Sequence, residues 1–314
     1  MERELFWEAE GEDAGKTVES VLKRRFLLSS RQIGSAKFRE GGILRNGIRT
    51  RTNAIVSEGD KLMIHLPDDG REDILVPVFE PLDIRFENED ILVVNKPAGI
   101  PTHPSHGHYA DTLANQITGY YAAKEHNFRF RPVGRLDRET SGLICVAKNA
   151  AAAEWMARER EAGGFCRYYL ALCQGILREK EGCVTEPIRE VPGIRMLREV
   201  HEEGAYARTD YRVLEEYGNE PQGPGYPGFS LVKLKLHTGR THQIRVHMSW
   251  LGHPLLGDAL YCGDRTQTEG SLRISRTALH SWKLKGTLPF TGDRFELCCE
   301  LPEDMKRLTG DFKD

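Results

Sequence analysis

From Asp90 onward the chain is a succession of short apolar runs bounded by turn residues: Ile91 to Val94, Leu143 to Val146, Tyr168 to Cys173, Leu231 to Leu236, Ile244 to Met248 and Phe295 to Leu301. Runs of this length read as strands. Helical patches fall between only some of them, at Thr112 to Tyr121 and Ala150 to Glu161. Strands that outnumber helices without alternating regularly with them predict an α+β fold and not a doubly wound parallel sheet. No run reaches the roughly 18 to 20 apolar residues that cross a bilayer. The N-terminal residues also lack the basic-then-apolar order of a signal peptide. The seven cysteines are odd in number, show no C-x-x-C spacing and include the adjacent Cys298 and Cys299. Neither a disulfide framework nor a zinc ribbon is indicated, and a cytoplasmic protein is expected.

Lys and Arg total 44 against 47 Asp and Glu, a net charge of -3, so bulk charge does not point to nucleic acid. The distribution does. Between Lys16 and Thr52 stand ten Lys or Arg against two Glu. Within that segment Val18, Val21, Leu22 and Phe26 recur at helical spacing, and a second helix is expected from Ser30 to Arg39 with Ser30 as its N-cap. The first helix carries Lys23, Arg24 and Arg25, the second Arg31, Lys37 and Arg39. Asn46-Gly47 marks a hairpin. The apolar runs Ala54 to Val56 and Leu62 to Ile64, separated by the turn Glu58-Gly59-Asp60, complete a small sheet. Such a compact basic α+β module holds RNA or presents a solvated face. Residues 67–83, with Pro67, Asp68-Asp69-Gly70, Pro77 and Pro81, read as a linker. The chain thus divides into residues 1–66, 67–83 and 84–314, and removal of residues 1–66 is expected to leave any chemistry beyond Asp90 intact. The Gly- and Pro-rich stretch from Gly218 to Gly228 reads as a surface loop.

Two segments concentrate side chains capable of chemistry. Arg131 to Gly142 gathers Arg131, Arg135 and Arg138 about Asp137, just ahead of an expected strand. A positive field keeps a loop carboxylate ionised, as a nucleophile or electrostatic stabiliser requires and a general acid does not. The same pattern describes a structural Asp bridging arginines in a turn. Leu236 to Met248 holds His237, His242 and His247 at intervals of five, with Arg240 and Arg245 and no acid. That spacing matches neither a helix face nor a strand face, so hydrogen-bonding roles are expected for these histidines and a metal site is not. Arg245, with its planar fork, suits an ion pair to a buried carboxylate, or else is a surface cation on an edge strand. His103, His106 and His108 lie near Asp111 without a further ligand to complete a metal shell. Tyr168-Tyr169 puts one ring on each side of a strand, to stack on a base or to pack in the core.

Three segments together closely resemble the RluA-type pseudouridine synthases, over about Asp90 to Leu301. They are Lys96-Pro97-Ala98-Gly99; Arg135-Leu136-Asp137 with Thr140-Ser141-Gly142-Leu143; and His237 to His247 with Gly252-His253-Pro254 and Gly257-Asp258. Ser30-Arg31, Gly42, Asn46-Gly47 and Gly59-Asp60 resemble an alpha-L RNA-binding module. The resemblance implies a mixed, mainly antiparallel sheet and isomerisation of specific uridines in structured ribosomal or transfer RNA. It implies no metal, nucleotide or redox cofactor and no membrane partner. Asp137 matches the family's catalytic aspartate, and Arg245 the arginine that pairs with it. Tyr169 matches the tyrosine of a Lys-x-Tyr segment in which Arg167 replaces the usual lysine. Arg135 matches an arginine expected to fill the space left by an extruded base, and the six basic residues of the N-terminal helices are expected to bind RNA. Gly134 departs from the family pattern, which usually has His there. Two other classes share some of these features. A non-catalytic RNA binder has no need of a carboxylate in its positive groove. A carboxylate-dependent glycosidase needs a second acid, and only Glu139 stands beside Asp137.

Overall fold

A computed structural model of the chain describes residues 1–68, 75–194, 196–218, 228–262 and 274–310. The N-terminal part contains β1 (Arg3–Glu8), α1 (Val18–Phe26), α2 (Ser30–Lys37), β2 (Ile43–Arg45), β3 (Ile48–Arg49) and β4 (Lys61–Leu66). The strands form an antiparallel sheet in the order β1-β4-β2-β3. Along β4 the residues Leu62, Ile64 and Leu66 turn inward in strict alternation, as a half-buried strand requires. Thr17 caps α1 by accepting from Ser20 N, and Val18, Val21, Leu22 and Phe26 form its buried face. The cap of α2 is Ser29, one residue before the expected Ser30. Gln32 decides between the two serines, because its side chain accepts from Ser29 N while Ser29 Oγ accepts from Gln32 N. Ala54 to Val56 is not a strand. Val18 N donates to Ala54 O and Val56 N to Lys16 O, so the run is tied to the start of α1.

Residues 84 onward build a second sheet from β5 (Ile84–Glu87), β6 (Ile91–Lys96), β7 (Arg131–Pro132), β8 (Ser141–Ala147), β9 (Cys166–Gln174), β10 (Glu181–Val184), β13 (Thr209–Tyr217), β14 (Phe229–Leu236), β15 (Leu279–Thr287) and β16 (Arg294–Cys298). A small separate ladder joins β11 (Ile188–Glu190) to β12 (Arg198–Val200). The large sheet runs β10-β13-β14-β9-β15-β8-β6-β5, with β16 on β15 and β7 on β8. Every pairing is antiparallel except β15 with β8. The expected α+β fold with a mixed, mainly antiparallel sheet is therefore the one observed. At the parallel pairing Gly142 has φ 107°, and a Cβ there would lie 2.3 Å from Ser281 O, so only glycine lets the two strands approach.

One face of the sheet packs Leu92, Val94, Ile144, Val146, Tyr169 and Leu234 against α3 (Leu113–Ala122) and α5 (Gln243–Trp250). The other face meets α4 (Ala150–Glu161) through Trp155 and Met156, and α6 (Glu303–Thr309) through Met305. The run Ile244 to Met248, expected as a strand, is the middle of α5. Its alternation misleads because the polar Arg245 and His247 are buried as well as their apolar neighbours. The stretches 69–74 and 219–227, within the expected linker and the expected Gly-rich loop, lie outside the described residues.

The N-terminal part is not a detachable appendage. Ala151 of α4 is part of its apolar core, and Phe290 packs against both units. Arg3 donates from Nε and Nη2 to the two oxygens of Asp90 at 2.9 and 3.2 Å, and Asp90 is only 1% exposed. Deleting residues 1–66 strips that carboxylate of its arginine, a change that costs about 3–5 kcal/mol for a buried pair. Charge substitutions, rather than truncation, are the way to test what the module's cations do.

Candidate active site

Asp137 sits in the loop between β7 and β8. The loop is held by the segment after β6, the Lys96-Pro97-Ala98-Gly99 run to which the sequence assigned no task. Lys96 is fully buried, and its Nζ donates to the carbonyls of Pro97, Ile100 and Arg138 at 2.9, 2.9 and 3.1 Å. Three acceptors use all three hydrogens of an ammonium. Burial nonetheless pulls the Lys96 pKa down to about 7, against the opposing pull of Asp137 and Glu139. Gly99 N donates to Arg138 O, Arg138 Nε donates back to Gly99 O, and Thr102 Oγ1 donates to Leu136 O at 2.8 Å. The backbone on both sides of Asp137 is thereby fixed.

The positive field at Asp137 comes from a residue distant in sequence. Arg131 pairs with Asp68, and Arg138 turns to Gly99 O and Glu139. The expected ring of neighbouring arginines is not what faces the carboxylate. Arg245 Nη1 instead lies 3.4 Å from Asp137 Oδ2, whose side chain is 30% exposed. The rest of the Arg245 fork is committed: Nε and Nη2 each donate to Asp258 at 2.7 Å, and Asp258 is wholly buried. The Tyr261 ring lies under the guanidinium at 5.0 Å. Gly257 sets the turn, with φ 69° and no room for a Cβ, which would fall 2.1 Å from Arg276 O. His242 Nε2 is 3.8 Å from Asp137, and its Nδ1 lies 2.9 Å from the Tyr261 hydroxyl. Burial holds His242 below the usual imidazole pKa, so near neutral pH the cation facing Asp137 is Arg245.

Asp137, Tyr169, Arg245 and Arg135 converge on one open cleft, completed by Leu136, Thr140, Leu236, Arg240, His242, Gln243, Ile244 and Leu279. Tyr169 is buried in its wall, on the central strand β9, and burial raises its phenol pKa. Arg135 is exposed, with Nη2 3.5 Å from Thr241 Oγ1. Gln243 anchors the loop opposite Asp137: its Nε2 donates to Arg208 O and Thr209 Oγ1, and its Oε1 accepts from Thr238 Oγ1 and Arg240 N. His247 lies against Thr209 Oγ1 and Glu186 O, and His237 against Asp210, so both have hydrogen-bonding positions. His103 packs its edge on Phe130, and His108 meets Asp111. Among the described residues no group of three or more His, Cys, Asp or Glu could hold a metal ion.

The six basic residues of the N-terminal helices do not gather at this cleft, and they divide into two sets. Lys23 pairs with Glu19, while Arg24 and Arg25 engage Glu10, Glu12 and the buried Asp13, with Arg25 over the Trp7 ring. Hydrogen bonds from Trp7 Nε1 and Glu10 N, with those of Arg25, hold Asp13 well below the usual carboxylate pKa in spite of its burial. Arg31, Lys37 and Arg39 are exposed on and just after α2, beside the exposed Phe38, Ile48 and Arg49. Asp258 is the site residue whose role the sequence did not reveal. Its signal was slight, a lone acid after Gly257, thirteen residues beyond Arg245.

A sequence model of the RNA pseudouridylate synthase family matches residues 90–250. The chain is 38% identical over 256 residues to an uncharacterized RNA pseudouridine synthase of Bacillus subtilis, covering 82% of this chain and 80% of that protein. It is 34% identical to ribosomal large subunit pseudouridine synthase D of Pasteurella multocida, covering 84% and 80%. Among solved structures it is similar to human RNA pseudouridylate synthase domain containing 1, with a TM-score of 0.56 and 31% identity, over 71% of this chain and 84% of that one.

Proposed function

The chain belongs to the RluA-type RNA pseudouridylate synthase family and converts uridine in RNA to pseudouridine, and we propose that Asp137 is its essential carboxylate and folded ribosomal RNA its substrate. The observation that carries the role of Asp137 is its placement: a part-exposed carboxylate in a cleft, 3.4 Å from an arginine whose other donors are locked on a buried acid. The reaction breaks the N1–C1′ bond and joins C5 to C1′. The C5 hydrogen leaves as a proton and N1 ends protonated, so no electrons are exchanged and no redox partner is required.

A stacked uracil is out of reach of the cleft and must be flipped into it, at a cost of a few kcal/mol. The exposed Arg135 stands at the mouth, where its side chain fills the space the base leaves. The raised phenol pKa of Tyr169 disfavours a phenolate, so what this residue offers the base is its ring face. Arg245 holds the Asp137 carboxylate in orientation through Nη1, 3.4 Å from Oδ2. The relatives named as large-subunit ribosomal synthases support ribosomal RNA. Mapping pseudouridine in ribosomal and transfer RNA from cells lacking the protein tests this: loss of a ribosomal site is expected, and loss confined to transfer RNA contradicts it.

The module of residues 1–66 supplies further RNA contacts, carried by the exposed Arg31, Lys37 and Arg39, the last in a long 3.8 Å pair with the exposed Glu2, and less by Lys23, Arg24 and Arg25, which closer acids hold. Each phosphate contact contributes roughly 0.7 to 0.9 to the slope of log K against log salt. Replacing Arg31, Lys37 and Arg39 by Gln is therefore expected to flatten that slope by about two, whereas Lys23→Gln changes it by less than about half a unit. Affinity across a salt series reads both. Equal slopes for the triple variant and the wild type would mean that the face is only solvated.

A further inference from the structure

Arg167 lies two residues before Tyr169 on β9, so both side chains leave the same face of the strand. It is 8% exposed. Its Nη2 donates to Thr238 O at 3.1 Å, and among the described residues no carboxylate pairs with it. Among those residues its Nε is also the one buried side-chain nitrogen or oxygen without a hydrogen-bond partner. A buried guanidinium with an orphan donor is an expensive way to make one bond to a carbonyl.

Its surroundings explain what the planar head does. A Cβ at Gly134 would stand 3.2 Å from Arg167 Nη1, and a Cβ at Gly239 would stand 3.3 Å from the same atom and 3.5 Å from Nη2. Gly134 belongs to the loop that carries Asp137, and Gly239 to the loop that carries Arg240 and leads into α5 and Arg245. The guanidinium therefore occupies the space beside both glycines, and a side chain at either must displace Nη1 while Nη2 stays bonded to Thr238 O.

We propose that Arg167 is a positioning residue that sets the spacing between the Asp137 loop and the 238–242 loop, and that it acts so only because residues 134 and 239 lack side chains. A side chain at position 134 pushes the loops apart and moves Asp137 away from Arg245. A misplacement of the order of 1 Å at a reacting group costs about a hundredfold in rate. The inference rests on Asp137 being the working carboxylate. That reading fails in the Asp137→Asn variant, and this one fails in the series below, so the two are distinguishable.

The test is single-turnover kinetics on a uridine stem-loop with the full-length Gly134→Ala and Gly134→Val proteins, each with Arg167 and with Arg167→Lys, their folding checked by thermal unfolding. A graded fall in the rate of chemistry is expected, about tenfold for Ala and a hundredfold for Val, with RNA affinity within about threefold. Arg167→Lys alone is expected to cost a few-fold and to recover most of the loss in the Gly134→Ala background, because the slimmer ammonium clears the added methyl. Losses that simply multiply in the double variants, or Gly134 variants as fast as the wild type, would overturn the proposal. So would losses that appear in affinity alone.

Discussion

Asp137→Asn is expected to lose pseudouridine formation by roughly 10⁴-fold or more, the scale on which removal of an essential catalytic group acts, while holding RNA within a few-fold of the wild type. The amide has the shape of the carboxylate and keeps an oxygen for Arg245 Nη1 at the 3.4 Å position. The backbone around it is also fixed from outside by uncharged bonds, Gly99 N to Arg138 O and Thr102 Oγ1 to Leu136 O, which do not depend on its charge. What disappears is the one negative charge among the described residues that line the cleft. Affinity has no reason to fall, because a carboxylate in an RNA groove repels phosphate. Substantial turnover by the purified variant would remove Asp137 from its role.

Asp258→Ala is expected to be the second most damaging change, although Asp258 does not line the cleft. It leaves the buried Arg245 fork without two hydrogen bonds of 2.7 Å, and breaking a buried ion pair costs about 3–5 kcal/mol. The freed guanidinium then turns its whole fork on Asp137 and draws the carboxylate from its working position, which lowers the rate of chemistry by about a hundredfold. Asp258→Asn retains the shape and part of the hydrogen bonding, so it should fall between the wild type and Asp258→Ala. Urea unfolding midpoints together with single-turnover rates measure both effects. A rate unchanged by Asp258→Ala at a temperature where the variant is folded would show that Arg245 needs no anchor.

Strands β6, β8, β9, β14 and β16 were legible because they are apolar runs between turn residues, and helix α4 was read to its ends from the pattern of Ala150 to Glu161. Strands β13 and β15 were not, because charged and polar residues such as Asp210, Glu215, His280 and Lys283 interrupt their apolar pattern. Helix α5 was not, since burial on all sides erases the difference between a period of two and one of 3.6. Strand β1 escaped notice because only Leu5 of its six residues is buried. Asp137, Tyr169 and Arg245 were recognised through motifs, and the cleft brings them together. What sequence could not show is where a charge looks for its partner. Arg131 and Arg138 are close to Asp137 in the chain and face elsewhere, while Arg245, 108 residues away, faces it. In the same way Arg24 and Arg25 counted toward a basic face until the acidic turn at Glu10 to Asp13 folded onto them.

Asp137 acts with the chain's own residues, and tritium release from RNA carrying [5-³H]uridine measures that most directly, since the C5 hydrogen must leave for carbon to join the ribose. The full-length protein and its Asp137→Asn variant are compared at equal RNA occupancy, on a short stem-loop that folds in monovalent salt, with a chelator present. Release by the wild type up to one tritium per target uridine, unaffected by the chelator, and none by the variant, is expected. Release by the variant at the wild-type rate, or release by the wild type only after a divalent metal is restored, would contradict it.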